Sequence, residues 1–209
     1  MDYYFLGVKR MRLYSSNASG YSRKVRIVAI ELGLDARLER IDQSPRDNTT
    51  GFFAVSPLAR IPVLLTDEGY ALYDSPVICE YLNTLAGGSL IPATGVARWN
   101  ALRRQALGDG ILDNGLPLRG ELMRRPAMLS AEVVARHREA IERALTLADA
   151  EADAYPTSTP DIGTIAIGCA VGWLDFRMPD FGWRANRPQL AAWLAELGQR
   201  PSFAATRPE

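Results

Sequence analysis

The sequence predicts a small α/β domain followed by an all-helical domain. Three observations support this prediction. Short strand-like segments alternate with helical ones before residue 86, the tract AGGSLIPATG at 86–95 interrupts the pattern, and helical periodicity dominates after it. A change from mixed to purely helical patterning is typical of two packed units. A chain of 209 residues is long enough to bury a substantial core.

The first predicted elements are a strand and a helix. The segment MRLYSS at 11–16 has a strand-like composition. After it, apolar residues recur at helical spacing up to a helix-ending glycine: Val25, Val28, Ala29, Leu32 and Gly33. Where the two elements meet lies SSNASGYSRKVR at 15–26, in which small polar residues precede a basic helical run. Those polar groups either only start the helix or also take part in chemistry.

A hairpin and a second helix are predicted next. The segment RIPVLLTDEGYALYD reads as two strands around a tight turn at Glu68-Gly69. In the overlapping DSPVICEYL, Ser75 is predicted to cap the helix and Pro76 to occupy its first position. The free N–H groups at such a terminus suit a carboxylate. A capped helix without a ligand is the equally weighted alternative.

The carboxyl-terminal half is predicted to be helical throughout. One apolar stripe faces other helices and consists of Val134, Ile141, Leu145 and Ala148. The uncharged run at 162–174 suits a core helix and is too short for a membrane span. Ahead of it, Ser158 and Asp161 have the spacing of a capping box, to which we assign a structural role only.

Composition and charge exclude several classes of function. The chain carries 24 basic and 24 acidic side chains, so its net charge favours neither a nucleic-acid nor a membrane partner. Cys79 and Cys169 lack the spacing of a zinc site or a CxxC redox motif, and we expect two buried, reduced thiols and no metal. The opening MDYYFLGVKR contains Asp2 and only a short apolar run, which predicts no secretory signal and a cytoplasmic location.

Five segments occur in an order that is typical of one family. They are SSNASGYSRKVR, SPLARIPVL, DSPVICEYL, the box beginning at Ser158 and the closing RPSF at Arg200. Together they resemble cytosolic glutathione S-transferases over nearly the whole chain, and DGILDNGLPLRGE and GWLDFR are similar to bacterial members. The resemblance implies a thioredoxin-like glutathione-binding domain at 11–87, a linker at 88–95, an all-helical domain at 96–209 that supplies the electrophile pocket, and usually a homodimer.

The resemblance also implies that glutathione is the co-substrate and that its thiolate is the nucleophile. A thiol with a pKa of about 8.5 is only slightly ionised at neutral pH. Lowering that pKa by about two units needs roughly 2.7 kcal/mol of anion stabilisation. One hydrogen bond to a charged group supplies about 1.5 to 3 kcal/mol. A single hydroxyl near a helix terminus is therefore enough, and no general base is required. The sole histidine, His137, is expected on the solvated surface.

The family alignment places Ser19 at the activating position. The residues SGY at 19–21 align with a serine or cysteine, a proline and an aromatic residue in many members. In the alternative, Ser19 is only an N-cap whose oxygen accepts from the Ser22 N–H. Neighbouring candidates for the donor are Ser16, Asn17 and Tyr14. A serine here, in place of a cysteine, favours conjugation or peroxide reduction over disulfide exchange.

Gly20 departs from the proline that is usual in the family. Glycine supplies a backbone N–H that proline lacks, and it loosens the turn. Our hypothesis is that the Gly20 amide is a second donor to the sulfur.

Three further segments match the residues that hold glutathione in the family. Ile61-Pro62 resembles the cis-proline turn, whose preceding residue pairs its main chain with the cysteinyl part. Asp74 and Ser75 match the pair that receives the γ-glutamyl amine and carboxylate. Arg60 occupies a position where relatives often carry lysine or glutamine near the glycyl end, and a solvated charge is the alternative.

The electrophile pocket is expected between the Ser19 loop and the first long helix after the linker. The residues expected to form it are Arg103, Leu107, Ile111 and Asn114. Trp173 and Arg177 are further candidates, although we prefer core packing for the tryptophan and a surface ion pair for the arginine.

A second hypothesis comes from a different class of protein. It is a non-catalytic binding protein of the same fold, similar to the stringent starvation proteins or the gamma subunits of elongation factors. Asp74, Ser75 and a hydroxyl at Ser19 favour an enzyme that acts on a small-molecule electrophile, because an interaction module has no need of a glutathione cradle. A dehalogenase or isomerase that uses glutathione as a cofactor is a third option that the sequence leaves open.

Overall fold

The computed structural model describes residues 10–208, so the expectation about a secretory signal falls outside the described residues. The amino-terminal half contains four strands and two helices: β1 Met11–Ser15, α1 Gly20–Glu31, β2 Leu38–Asp42, β3 Val63–Leu65, β4 Ala71–Leu72 and α2 Ser75–Leu85. The carboxyl-terminal half contains five helices: α3 Gly95–Leu122, α4 Ala131–Ala150, α5 Ile162–Arg177, α6 Pro188–Leu197 and α7 Pro201–Ala204.

The four strands form one mixed sheet in the order β2-β1-β3-β4. β1 runs parallel to β2 and antiparallel to β3, with Leu13 opposite Leu64. The predicted hairpin is confirmed, since β3 and β4 pair antiparallel and Gly69 in the turn has a φ of 90°. β2 was not predicted, because only Leu38 of its residues is buried and its sequence LERID lacks apolar alternation.

Helix α1 is buried on its polar side as well as its apolar side. The predicted apolar face is confirmed, with Val25, Val28 and Ala29 at 0–1% exposure. Arg23 and Lys24 are also buried, at 7% and 1%. The helix therefore lies between the sheet on one side and the carboxyl-terminal helices on the other.

Helices α3 and α5 pack closely because glycines remove side-chain bulk between them. A Cβ at Gly108 would lie 2.5 Å from the backbone of Ala166, and one at Gly115 would lie 2.6 Å from the ring of Trp173. These glycines therefore permit close helix packing, and α3 is continuous past them. The predicted core helix and the stripe on α4 are confirmed, since nearly all of α5 is buried and Ile141 is fully buried.

Two predicted helix caps are shifted along the chain. The capping box of α5 joins Asp161 and Thr164, not Ser158 and Asp161, because each of the former bonds the other's backbone N–H at 2.8 and 3.0 Å. The N-cap of α2 is Asp74, one residue before the predicted Ser75. In both cases an acidic residue occupies the cap, where it also complements the helix dipole.

The two halves are joined by buried and partly buried ionic contacts. Lys24 on α1 contacts both carboxylate oxygens of Asp109 on α3 at 2.6 Å. At the other end of α1, Arg200 and Ser202 both donate to Glu31. One hydrophobic cluster runs through both halves, and the division into 11–87 and 96–209 stays a prediction.

No helix in the described part of the chain combines the length and apolarity that crossing a bilayer requires.

We predict that Asp109→Ala strongly destabilises the fold. The Lys24 side chain is 1% exposed, so the substitution leaves a buried cation without its partner. Removing one member of such a pair costs about 3–5 kcal/mol in the free energy of unfolding, measured by urea denaturation. The matched control is Glu139→Ala, whose partner Arg143 is exposed and 3.7 Å away, and its expected cost is below about 0.5 kcal/mol. Equal stability of the two variants would contradict the prediction.

We also predict that Glu31 makes the fold sensitive to acid. Burial acts to raise the pKa of Glu31, but hydrogen bonds from Arg200 and Ser202 outweigh it and hold the pKa below its ordinary 4.5. A carboxylate with a lowered folded-state pKa stabilises the protein above its unfolded-state pKa, and this contribution is lost as the pH falls through the folded-state value. Glu31→Gln should therefore flatten the dependence of unfolding free energy on pH below about pH 4.5. If the unfolding free energy of Glu31→Gln depends on pH in that range as steeply as that of the wild-type protein, Glu31 is not the source of the acid sensitivity.

Candidate functional site

A cleft of about 600 Å³ lies between the two halves. Its amino-terminal wall comes from the loop before α1, the loop ahead of β3 and the start of α2. Its opposite wall comes from the carboxyl-terminal half of α3 and the end of α5. All seven residues expected to activate or hold glutathione line it: Ser19, Gly20, Arg60, Ile61, Pro62, Asp74 and Ser75.

Ser19 is the N-cap of α1, and its hydroxyl oxygen accepts from the Ser22 N–H at 3.2 Å. A hydroxyl carries one donor hydrogen and two acceptor lone pairs. Capping uses a lone pair and leaves the hydrogen available, so the same group can cap the helix and donate into the cleft. The two interpretations of Ser19 are therefore compatible.

The neighbouring candidates for the thiol donor differ in the contacts that they already make within the protein. Ser16 lines the cleft, and its hydroxyl accepts from the Ala18 N–H at 3.3 Å. The side-chain oxygen of Asn17 accepts from two arginines, Arg26 and Arg40, at 2.8 and 2.9 Å. Tyr14 packs against Phe52, with ring centroids 5.7 Å apart. Of the residues that the structure describes, neither Asn17 nor Tyr14 is part of the cleft wall.

Gly20 packs closely against α3 beside the cleft. A Cβ at this position would lie 2.9 Å from both terminal methyl carbons of Leu112 on α3. Leu112 is 2% exposed and has little room to move. Steric contact from α3 thus gives a physical reason for the absence of proline at position 20. The Gly20 N–H begins the helix and has no hydrogen-bond partner among the described residues.

The Ile61-Pro62 peptide bond is cis, as the resemblance implied. Ile61 lines the cleft, and the described residues provide no hydrogen-bond partner for its N–H or C=O. The main chain of Arg60 is fixed by Ser56, whose hydroxyl donates to the Arg60 carbonyl at 2.8 Å and accepts from its N–H at 3.0 Å. The loop includes Ala59 at a φ of 50°, an uncommon conformation for a residue other than glycine.

The start of α2 presents an acid and a hydroxyl to the cleft. The Asp74 side chain makes no capping hydrogen bond, although the residue is the N-cap, so its carboxylate is free to take another partner. Ser75 is 1% exposed, and its hydroxyl has no partner among the described residues. This end of the cleft therefore offers a negative group, a hydroxyl and a helix N-terminus.

Tyr21 and Asp113 form a polar bridge across the cleft that the sequence does not predict. The Tyr21 hydroxyl donates to the Asp113 carboxylate on α3. Burial, followed by the hydrogen bond and charge of Asp113, raises the pKa of Tyr21 far above its ordinary value. The phenol therefore stays protonated and serves as a donor. The two residues are 92 positions apart, so no local pattern connects them.

The expected electrophile residues on α3 face away from the cleft. Ile111 is fully buried in the core, and Leu107 packs against that core. Arg103 pairs with Glu151 on α4 at 2.8 Å. This expectation is corrected, because α3 is rotated so that a different face meets the cleft. The residues of α3 that line it are Leu112, Asp113, Leu116, Pro117 and Arg119.

Asn114 is also occupied elsewhere, and with it His137. The Asn114 side chain donates to the Gly110 carbonyl at 2.8 Å, and its oxygen lies 3.0 Å from the His137 ring nitrogen. His137 is half-buried between α4 and α3, not fully solvated as expected. The contact is structural, since neither residue lines the cleft in the described part of the chain.

The distal end of the cleft contains Trp173, Arg119 and Arg177. Trp173 is 3% exposed and packs in the core as expected, while still forming part of the wall. Arg177 lies over the ring of Phe176, 4.6 Å from its centroid, and makes no ion pair with any described residue. The expected surface ion pair of Arg177 is therefore absent from the described chain.

The cysteines take no part in the cleft. Both are free and buried, as expected. Burial raises the pKa of Cys79 to about 12 and that of Cys169 to about 11, so both thiols are unreactive at neutral pH. Within residues 10–208, no group of three or more histidine, cysteine or acidic side chains is arranged to hold a metal ion.

Comparisons with known proteins agree with this geometry. The family model for the glutathione S-transferase N-terminal domain matches residues 18–85, and the model for the C-terminal domain matches residues 131–196. The GST-like protein YibF of Escherichia coli (strain K12) is 35% identical over 95% of this chain and 98% of its own length.

Two solved structures from Pseudomonas fluorescens Pf-5 are also similar. A glutathione transferase family member with bound glutathione is 43% identical, with a TM-score of 0.89 over 95% of this chain and 99% of that one. A structure with bound S-(propanoic acid)-glutathione is 42% identical, with a TM-score of 0.84 over 95% of this chain and 97% of that one. The predicted fold class, a thioredoxin-like domain followed by an all-helical domain, is confirmed.

We predict that Gly20→Ala destabilises the protein through Leu112. Alanine is the better helix former by up to about 1 kcal/mol, but the added methyl group overpacks the contact, and overpacking costs about 1–3 kcal/mol. The cost should disappear in a Leu112→Ala background, where the methyl group has space. Denaturation of the two single variants and the double variant measures this coupling. Additive effects of the two substitutions would disprove the steric explanation.

Proposed function

The chain belongs to the glutathione S-transferase family, and from that premise we propose that it activates the glutathione thiol for attack on a small electrophile. One observation carries this proposal. Three kinds of group line the same cleft. They are a hydroxyl with a free hydrogen, an unpaired main-chain amide and carbonyl, and an acid at a helix N-terminus whose carboxylate makes no capping hydrogen bond. These are the groups that a tripeptide with a thiol, a peptide backbone and a terminal amino acid requires.

In the proposed complex, glutathione lies across the amino-terminal wall. The Ile61 N–H and C=O pair with the backbone of the cysteinyl residue, because they are otherwise unpaired. Asp74 receives the γ-glutamyl amine, and Ser75 with the α2 N-terminus receives the carboxylate. Arg60 is exposed at the cleft edge, where its charge suits the glycyl carboxylate. The glutathione bound to the similar protein of Pseudomonas fluorescens supports glutathione as the ligand of the cleft.

The sulfur then lies at the start of α1. Ser19 donates its free hydroxyl hydrogen, and the unpaired Gly20 N–H adds a second donor at the positive end of the helix dipole. A bond of this kind to a charged acceptor contributes about 1.5–3 kcal/mol, and a decrease of two units in the thiol pKa needs about 2.7 kcal/mol. Two such donors are therefore sufficient without a histidine base.

The activated thiolate suits conjugation better than disulfide exchange. Exchange through a mixed disulfide between protein and glutathione needs a protein thiolate in the cleft, and both cysteines are buried elsewhere with raised pKa values. In conjugation, sulfur forms a bond to an electrophilic carbon while a leaving group departs or a double bond takes up the electron pair. An organic hydroperoxide is an alternative electrophile, with sulfur attacking oxygen and a second glutathione completing the reduction.

The same geometry argues against the non-catalytic alternative. A protein that only binds macromolecules through its surface has no need for a hydroxyl, a main-chain pair and an acid that converge in one cleft. For the assembly and location of the protein, we propose a homodimer in the cytoplasm, as is usual in the family.

We predict that Ser19→Ala weakens thiol activation without abolishing it. One donor is lost and the Gly20 amide remains, so the pKa of bound glutathione should rise by about one unit. Turnover of a chloronitroarene at neutral pH should fall about tenfold. Thiolate absorbance in the near ultraviolet, measured against pH, reports the pKa directly.

The matched control for the lost cap is Ser130→Ala. Ser130 caps α4 by accepting from the Val133 N–H at 3.4 Å, and it lies outside the cleft. Both substitutions should lower stability by about 0.5–2 kcal/mol, but only Ser19→Ala should change the thiol pKa. An unchanged pKa in Ser19→Ala would reduce Ser19 to a cap, and failure of the wild-type protein to bind millimolar glutathione would overturn the proposed function.

A further inference from the structure

The packing of α3 against α5 brings two arginines to the same level of the cleft. Gly108 contacts Ala166 and Gly115 contacts Trp173, and the members of each pair are 58 positions apart. A constant separation means that the two helices run parallel and in register. Arg119 and Arg177 are also 58 positions apart, so they lie side by side at the distal end of the cleft, which both of them line.

Neither guanidinium has an acidic partner among the described residues. Glu121, the next acid on α3, is already engaged by Arg124 and by the Ser130 N–H. Both arginines are half-buried. Burial, with the positive charge of Arg119, lowers the pKa of Arg177, which indicates that the two cations repel each other. Two adjacent, partly desolvated cations without a counterion are a favourable environment for an anion.

We propose that Arg119 and Arg177 bind a carboxylate carried by the electrophilic substrate, so that the second substrate class is small carboxylic acids. The proposal rests on the proposed function, because it assigns the substrate of the same cleft. The apolar part of such a molecule would contact Leu116 and Trp173, which line the wall beside the two arginines.

The distance along α3 between the proposed sulfur position and Arg119 fits a short substrate. Leu112 contacts Gly20, next to the proposed sulfur position, and Arg119 follows it by seven residues. At 1.5 Å per residue this is about 10 Å along the axis. Helical side chains lean toward the helix N-terminus, so the Arg119 side chain extends back toward the sulfur. The remaining gap suits an acid of a few carbon atoms.

The chemistry is complete with glutathione and such an acid alone. With an unsaturated acid, the thiolate sulfur forms a bond to the β-carbon, the π electrons move to the α-carbon, and a proton from water completes the thioether. With a halogenated acid, the new carbon–sulfur bond replaces the carbon–halogen bond and the halide leaves. In both cases the carboxylate keeps its charge and its two cationic partners.

Binding of two glutathione conjugates tests the proposal. S-(carboxyethyl)glutathione carries the anion, and S-propylglutathione is its neutral counterpart. By isothermal titration, the wild-type protein should bind the carboxylated conjugate more tightly. Arg119→Gln and Arg177→Gln should each weaken that binding by about 10-fold to 100-fold, the range expected for one hydrogen bond to a charged group. Their affinity for S-propylglutathione and for glutathione should not change.

The control substitution is Arg125→Gln, which removes an exposed arginine just beyond α3 and outside the cleft. It should leave the affinity for both conjugates unchanged. In turnover, the ratio of kcat/KM for acrylate to that for methyl acrylate should fall in the two cleft variants and stay constant in the control.

The outcomes separate this proposal from the proposed function. The carboxylate assignment is wrong if the wild-type protein binds both conjugates equally. It is also wrong if Arg119→Gln and Arg177→Gln weaken the binding of glutathione as much as the binding of the carboxylated conjugate. In both cases the glutathione site stands. If the wild-type protein binds no glutathione derivative, both proposals are overturned.

Discussion

The contact between Lys24 and Asp109 determines how the two halves of the molecule meet. A lysine that is 1% exposed has no water to solvate its charge, so α1 is stable only with the Asp109 carboxylate of α3 against it. Burial raises the pKa of Asp109, and the charge of Lys24 offsets part of that rise. The pair fixes α1 relative to α3. One turn closer to the start of α1, Tyr21 meets Asp113 and Gly20 meets Leu112.

That alignment gives one helix terminus two functions. The start of α1 must be capped for the helix to form, and Ser19 caps it with a lone pair while its hydrogen stays free. Leu112 leaves no space for a side chain at position 20, and the resulting glycine adds an N–H that proline would lack. Gly20 therefore serves both purposes: it allows the two halves to pack, and it provides a hydrogen-bond donor to the cleft.

The sequence predicted most features whose signal lies within one segment, although the caps of α2 and α5 are shifted and β2 was not predicted. The strand at β1, the face of α1, the hairpin turn at Gly69 and the cis bond before Pro62 all depend on adjacent residues or on a matched motif. Prediction from the sequence failed where the position of a residue depends on a contact with a residue that is distant in the chain. The rotation of α3 follows from glycine contacts with α5, so Ile111 points into the core and Leu112 into the cleft. The bridge from Tyr21 to Asp113 has no local signature for the same reason.

The two walls of the cleft depend on different parts of the structure. The wall to which we assign glutathione is built largely from main-chain groups, a helix terminus and short side chains, which depend on the backbone path and tolerate little change. The opposite side is built from side chains on two parallel helices whose register is set by glycines at positions remote from the substrate. Substitution of the side chains at Leu116, Arg119 or Arg177 leaves that register intact. The proposed electrophile specificity can therefore change independently of the proposed glutathione site, because the two depend on different parts of the structure.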